Sequence, residues 1–126
     1  MKRFIGGFLL LLVLAGCAPD GAGASTAAEE FHQALASGDA EQACSMLSQS
    51  ARDKAESDGG CESQLEELQL SDAGAPGKSE VYGRNAMVEF ENDTVFLAAA
   101  SSGWQITGAG CTSQGESGYM CEVGGK

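Results

Sequence analysis

The apolar spacing of this chain changes once, at Ala73-Gly74-Ala75-Pro76-Gly77, and that change constrains the fold more than any other feature. Before it the apolar residues recur three and four positions apart; after it they alternate. The first period buries one stripe of a helix and the second one face of a strand, so the chain reads as helices followed by strands, an α+β arrangement. Thr26 with Glu29 forms a capping box, after which Ala27, Phe31, Ala34 and Leu35 share a face until Gly38. Asp39 with Gln42 repeats the signal and opens a second helix striped by Ala43, Cys44, Met46 and Leu47. Residues 50–55 allow a third, more polar turn, stopped by Ser57-Asp58-Gly59-Gly60, and residues 61–70 resume helical spacing. Strands are expected over 80–82, 86–90, 94–100 and 104–107, with joins so short that neighbours pair antiparallel. The expectation is three or four helices packed on a curved four-stranded meander, trailed by a glycine-rich tail over 108–126.

The N-terminus is of another kind. Met1-Lys2-Arg3 supplies positive charge and residues 4–14 are apolar apart from Gly6 and Gly7, the layout of an export signal. A spanning helix needs about 20 apolar residues, and this run stops short of that. It ends at Leu14-Ala15-Gly16-Cys17, which resembles the lipobox of bacterial prolipoproteins. The resemblance implies that the Cys17 thiol takes a diacylglycerol through a thioether, that residues 1–16 are removed, and that the new amino group is often acylated too. Two acyl chains hold a protein stably on a membrane where one does so only marginally. The implied address is the extracytoplasmic face of the cell membrane, with residues 17–25 as lipidated cysteine and flexible tether and 26–126 as one domain. An ordinary signal peptide, leaving Cys17 a free thiol, is the competing reading.

Removal of residues 1–16 takes Lys2 and Arg3 from the 7 basic residues and none from the 18 acidic ones, so the net charge moves from −11 to −13. Nucleic acid is not an expected partner, because phosphate backbones require clustered cations and Arg52, Lys54, Lys78 and Arg84 are scattered among carboxylates. Cys44, Cys61, Cys111 and Cys121 then remain, an even number suited to an oxidising compartment, with three possible connectivities. Short loops within each half favour Cys44 with Cys61 and Cys111 with Cys121, worth about 3 and about 2.7 kcal/mol by the chain-entropy model. Zinc competes for four cysteines, but the close pairs that pre-arrange thiolates are missing and His32, the only histidine, is remote. No metal or cofactor is expected.

Ala27-Ala28-Glu29-Glu30-Phe31, the Ser37-Gly38-Asp39 corner before Ala43-Cys44, Cys61-Glu62, and Val95-Phe96-Leu97 followed by Gly103-Trp104-Gln105-Ile106-Thr107 and Cys111 occur in the order found in small actinobacterial lipoproteins. The mature chain thereby resembles the NTF2-like (cystatin-like) α+β superfamily. That resemblance implies a curved sheet around the first helix, enclosing a cone-like hollow. In enzymes of the superfamily the hollow holds a carboxylate base and acidic donors to an oxyanion. The strand carboxylates here, Glu80, Glu89 and Glu91, fall in the phase opposite to Val81, Val88 and Phe90 and are expected to face solvent.

Single residues invite chemistry without forming a set. His32 is of the residue type that titrates near neutrality when unperturbed, yet beside Phe31 on a short helix it reads as a histidine at the boundary of the core. Tyr82 suits an oxyanion donor or a packing role. Glu62, Glu66 and Glu67 lack the glycine-turned loop of an EF-hand, no Gly-x-Ser-x-Gly elbow accompanies the serines, and Asn92-Asp93-Thr94 matches a glycosylation acceptor. Trp104 fits a partner anchor or a core filler. Two functions follow: a tethered module binding a small-molecule ligand or an envelope protein without catalysis, or an enzyme of isomerase or cyclase type using the hollow.

Overall fold

The computed structural model describes residues 21–125; the signal segment 1–16 and Cys17 lie outside the described residues. Four helices come first, α1 (Gly21–Ala36), α2 (Ala40–Ser45), α3 (Gln49–Ser57) and α4 (Cys61–Leu68). Five strands follow, β1 (Pro76–Tyr82), β2 (Asn85–Phe90), β3 (Thr94–Ala100), β4 (Gly103–Ser113) and β5 (Tyr119–Gly124), with a short 3-10 turn at Gly115–Ser117. The architecture is α+β, and the strands form one open antiparallel sheet in the order β1-β2-β3-β4-β5.

Two expectations are corrected. The first helix begins at Gly21, not at the Thr26 cap, so residues 21–25 of the expected tether are helical. Alanine is the best helix former, and Ala24 and Ala28 are fully buried on the face that also carries Phe31, so packing extends the helix past Thr26. The sheet has five strands, not four, because β4 runs on to Ser113 and the tail returns beside it as β5. A disulfide joins Cys111 and Cys121, which face each other across that pair.

Local chemistry sets the other boundaries. The Asp39 side chain accepts a hydrogen bond from the Gln42 N–H at 3.1 Å and caps α2, and Ser48 accepts from the Ala51 N–H at 3.3 Å to start α3. Gln69 takes a left-handed conformation (φ 52°) and ends α4. A disulfide ties Cys44 of α2 to Cys61 at the start of α4. Between α2 and α3 the chain meets the sheet: Ile106 N–H donates to Met46 C=O (2.9 Å) and Ser48 N–H donates to Ile106 C=O (2.7 Å), a parallel bridge at Leu47.

The core lies between α1 to α4 and one sheet face. Phe31, Leu47, Leu65, Val88, Val95, Leu97, Ile106 and Val123 are its largest fully buried side chains. Val88 is opposite Val95, and Leu97 lies between Ala86 and Ile106, so successive strands place apolar residues on the same side. Helix α1 lies against β1, β2, β3 and β4, and Phe31 occupies the space beneath it.

Candidate functional site

Two places gather side chains with chemical potential, one inside the domain and one on the outer sheet face. The inner one is built on α1. His32 follows Phe31, and both are buried, so the histidine expected at a boundary is an interior residue. A carbonyl oxygen only accepts, so the ring Nδ1 carries a proton and donates it to Leu70 C=O at 2.9 Å. Nε2 then faces Asp93 Oδ2 at 3.0 Å, with side-chain exposures of 7% and 3%.

Asp93 closes the turn between β2 and β3, where the Phe90 N–H donates to its carbonyl at 2.7 Å. The ring edge meets Phe90 at a centroid distance of 4.7 Å. The His32–Asp93 approach is at ion-pair distance, and neither Asp93 carboxylate oxygen receives a hydrogen bond among the described residues. The contact is a close approach rather than a formed hydrogen bond.

Sequence reasoning missed Asp93 in this role. His32 and Asp93 belong to different elements and no local pattern joins them; the turn residues 91–93 signal only a bend. The pair has the residue types of a proton-transfer dyad, yet aromatic rings and the backbone of residue 70 enclose it. Glu91 is exposed and Glu80 and Glu89 are half-exposed. Glu80 lies opposite Met87 and Glu89 opposite Thr94, on the face away from the core, so none of the three joins the histidine.

The outer place is a cleft of about 350 Å³ whose lining includes Tyr82, Asn85, Phe96, Thr107 and Tyr119, together with Ser50 of α3 and the core residues Ala86 and Leu97. Tyr82 pairs with Asn85, and Phe96 with Met87 and Gly108, so these residues occupy the strand phase opposite to Ala86 and Leu97. Tyr119 reaches across from β5 and meets Phe96 edge to face, with centroids 5.0 Å apart. A Cβ at Gly108 would stand 3.1 Å from the Cys121 sulfur, which places the Cys111–Cys121 disulfide beside the cleft. Tyr82 is 50% exposed and Tyr119 41% exposed, and Val81 and Met120 are the other exposed large apolar residues among the described residues. Burial raises the Tyr82 pKa above 10.0, helped by the charges of Glu80 and Tyr119.

Trp104, expected as either anchor or filler, is half-buried and packs against the core. Glu62, Glu66 and Glu67 are exposed on α4, and no group of three or more potential metal-binding side chains occurs among the described residues.

Residues 1–18 match the family model described as a prokaryotic membrane lipoprotein lipid attachment site, and Cys17 is the one cysteine within them. The chain carries the attachment site of a bacterial lipoprotein. Among the described residues of this lipoprotein no helix is long and apolar enough to cross a membrane. No curated protein and no solved structure matches the chain.

Proposed function

We propose that the mature lipoprotein is an extracytoplasmic, membrane-tethered binding module of the cell envelope, without catalytic activity, that engages a partner through the Tyr82–Phe96–Tyr119 cleft. The observation that carries this reading is the contrast between the two places described above. The chain's only histidine and its carboxylate partner are sealed from solvent, while both of its tyrosines are exposed around one cleft. A general base must come within hydrogen-bond reach of the proton it removes, and the enclosed His32–Asp93 pair offers a substrate no such approach. Tyrosine gives binding sites a large apolar body with a polar tip, and a few hundred Å³ with aromatic and polar lining suits part of a ligand or one partner side chain.

The helix-first order and the position of α1 against the sheet support an NTF2-like domain whose hollow is occupied by Phe31 and its neighbours. A filled hollow disfavours the isomerase or cyclase reading. The test is mild cross-linking of the lipidated protein in its own membranes, beside a Cys17→Ser form, with mass spectrometry of what is joined to it. A stoichiometric adduct mapped to peptides containing Tyr82 or Tyr119, obtained with the lipidated form, supports the module. Adducts scattered over the surface, or none, refute the cleft as the binding site.

A further inference from the structure

The start of α1 has a consequence for how the domain sits on the membrane. Four peptide links separate Cys17 from Gly21, the first residue of α1, and four residues span at most about 14 Å even when fully extended. The N-terminal end of α1 therefore stays within about two Debye lengths of the headgroups at physiological salt. Beside this end is a cleft of about 610 Å³ formed by Ala22 and Thr26 of α1, Met46 at the end of α2, Ser102 in the β3–β4 turn and Trp104 of β4. Among the described residues Glu30 is the only charged one lining it, on a mature chain of net charge −13. By contrast, the cleft between α2, α3 and α4 is lined by Glu41, Arg52, Glu56 and Glu62.

We propose that the short link holds the Trp104 cleft against the lipid headgroups, so that this face is the membrane-docking surface of the domain. Two observations fix the occupant as the bilayer. The length of chain between anchor and helix keeps this face close to the lipid, and its single carboxylate gives anionic headgroups less to repel than the Glu41–Glu56–Glu62 cleft does. Tryptophan favours the membrane–water interface, where its ring stays apolar and its N–H stays wet. The docking rests on the lipid attachment at Cys17, and the experiment separates the two.

Trp104 is the only tryptophan in the chain, so its fluorescence reports on this face alone. The lipidated protein, its intact mass verified, is reconstituted in phosphatidylcholine vesicles containing headgroup spin-labelled lipid, and compared with Cys17→Ser protein mixed with the same vesicles. Expected are loss of Trp104 emission to the label and reduced quenching by aqueous iodide for the lipidated protein alone. A long Gly/Ser insert after Asp20 should restore emission and iodide access. A mass lacking lipid removes the anchor on which the docking depends. Lipidated protein whose Trp104 remains as open to iodide as the Cys17→Ser form overturns the docking itself and leaves the cleft to a protein partner. Quenching indifferent to the insert overturns the role of the short link.

Discussion

His32 and Asp93 each occupy a position from which water is excluded, so the loss of either strands the other. Removing one member of a buried ion pair costs about 3–5 kcal/mol, whereas replacing both by apolar residues of similar size is often close to neutral. His32→Leu and Asp93→Leu should each lower stability in urea unfolding by that order, and the double variant by less than their sum. Additive losses would mean that the 3.0 Å contact is not an energetic pair. Tyr82 gives a second expectation at this scale. Its pKa is raised, first by burial and then by Glu80 and Tyr119, so the folded protein retains a proton that the unfolded chain releases. The stabilisation is complete below pH 10.0, the ordinary tyrosine value, and is lost as pH rises through the folded value. In a Tyr119→Phe protein, phenolate absorbance should develop above pH 10.0, and Glu80→Gln should move it down without abolishing the burial effect. Titration at or below 10.0 would contradict the placement of Tyr82.

Among the elements, β5 depends most on a covalent link. Its edge is open on one side, Tyr119 and Met120 are exposed, and Val123 is its one large side chain in the core. Cys111→Ser/Cys121→Ser should cost about 2.7 kcal/mol for the ten-residue separation and reduce hydrogen-exchange protection over 119–124. Cys44→Ser/Cys61→Ser should cost about 3 kcal/mol for its separation of seventeen, with β5 protection preserved in the native state. If β5 protection survives loss of its own disulfide, its pairing with β4 holds it unaided. The elements also divide by how readable they were. Asp39 capping α2 and the alternation Ala86, Val88 against Val95, Leu97 were legible, because caps and face alternation are local. Strand β5 was not, since glycines at 118, 124 and 125 and an exposed Tyr119-Met120 pair hide the period; its strand state comes from the β4 edge. The start of α1 was misread because Thr26 resembles a cap, while burial of Ala24 decides the matter from across the fold.

For the whole molecule, address and site differ in legibility for the same physical reason. The attachment signal is read by enzymes as a contiguous segment and so is written contiguously, in residues 1–18. The outer cleft draws Tyr82, Phe96 and Tyr119 from β1, β3 and β5, and the inner pair joins α1 to a turn, so neither leaves a motif. Phe31, fully buried under α1, joins the helical layer to the sheet; Phe31→Ala should cost about 3–5 kcal/mol and lower the thermal midpoint accordingly. The central claim is that this lipoprotein acts by binding at its outer face and not by chemistry at its histidine. The most direct measurement is cross-linked partner capture, in native membranes, by three lipidated proteins: wild type, Tyr82→Ala/Tyr119→Ala, and His32→Leu/Asp93→Leu, each verified as folded by its melting curve. The tyrosine variant should lose the partner while the protein without the histidine pair retains it. Retention by the tyrosine variant together with loss by the folded protein lacking the pair would contradict the account.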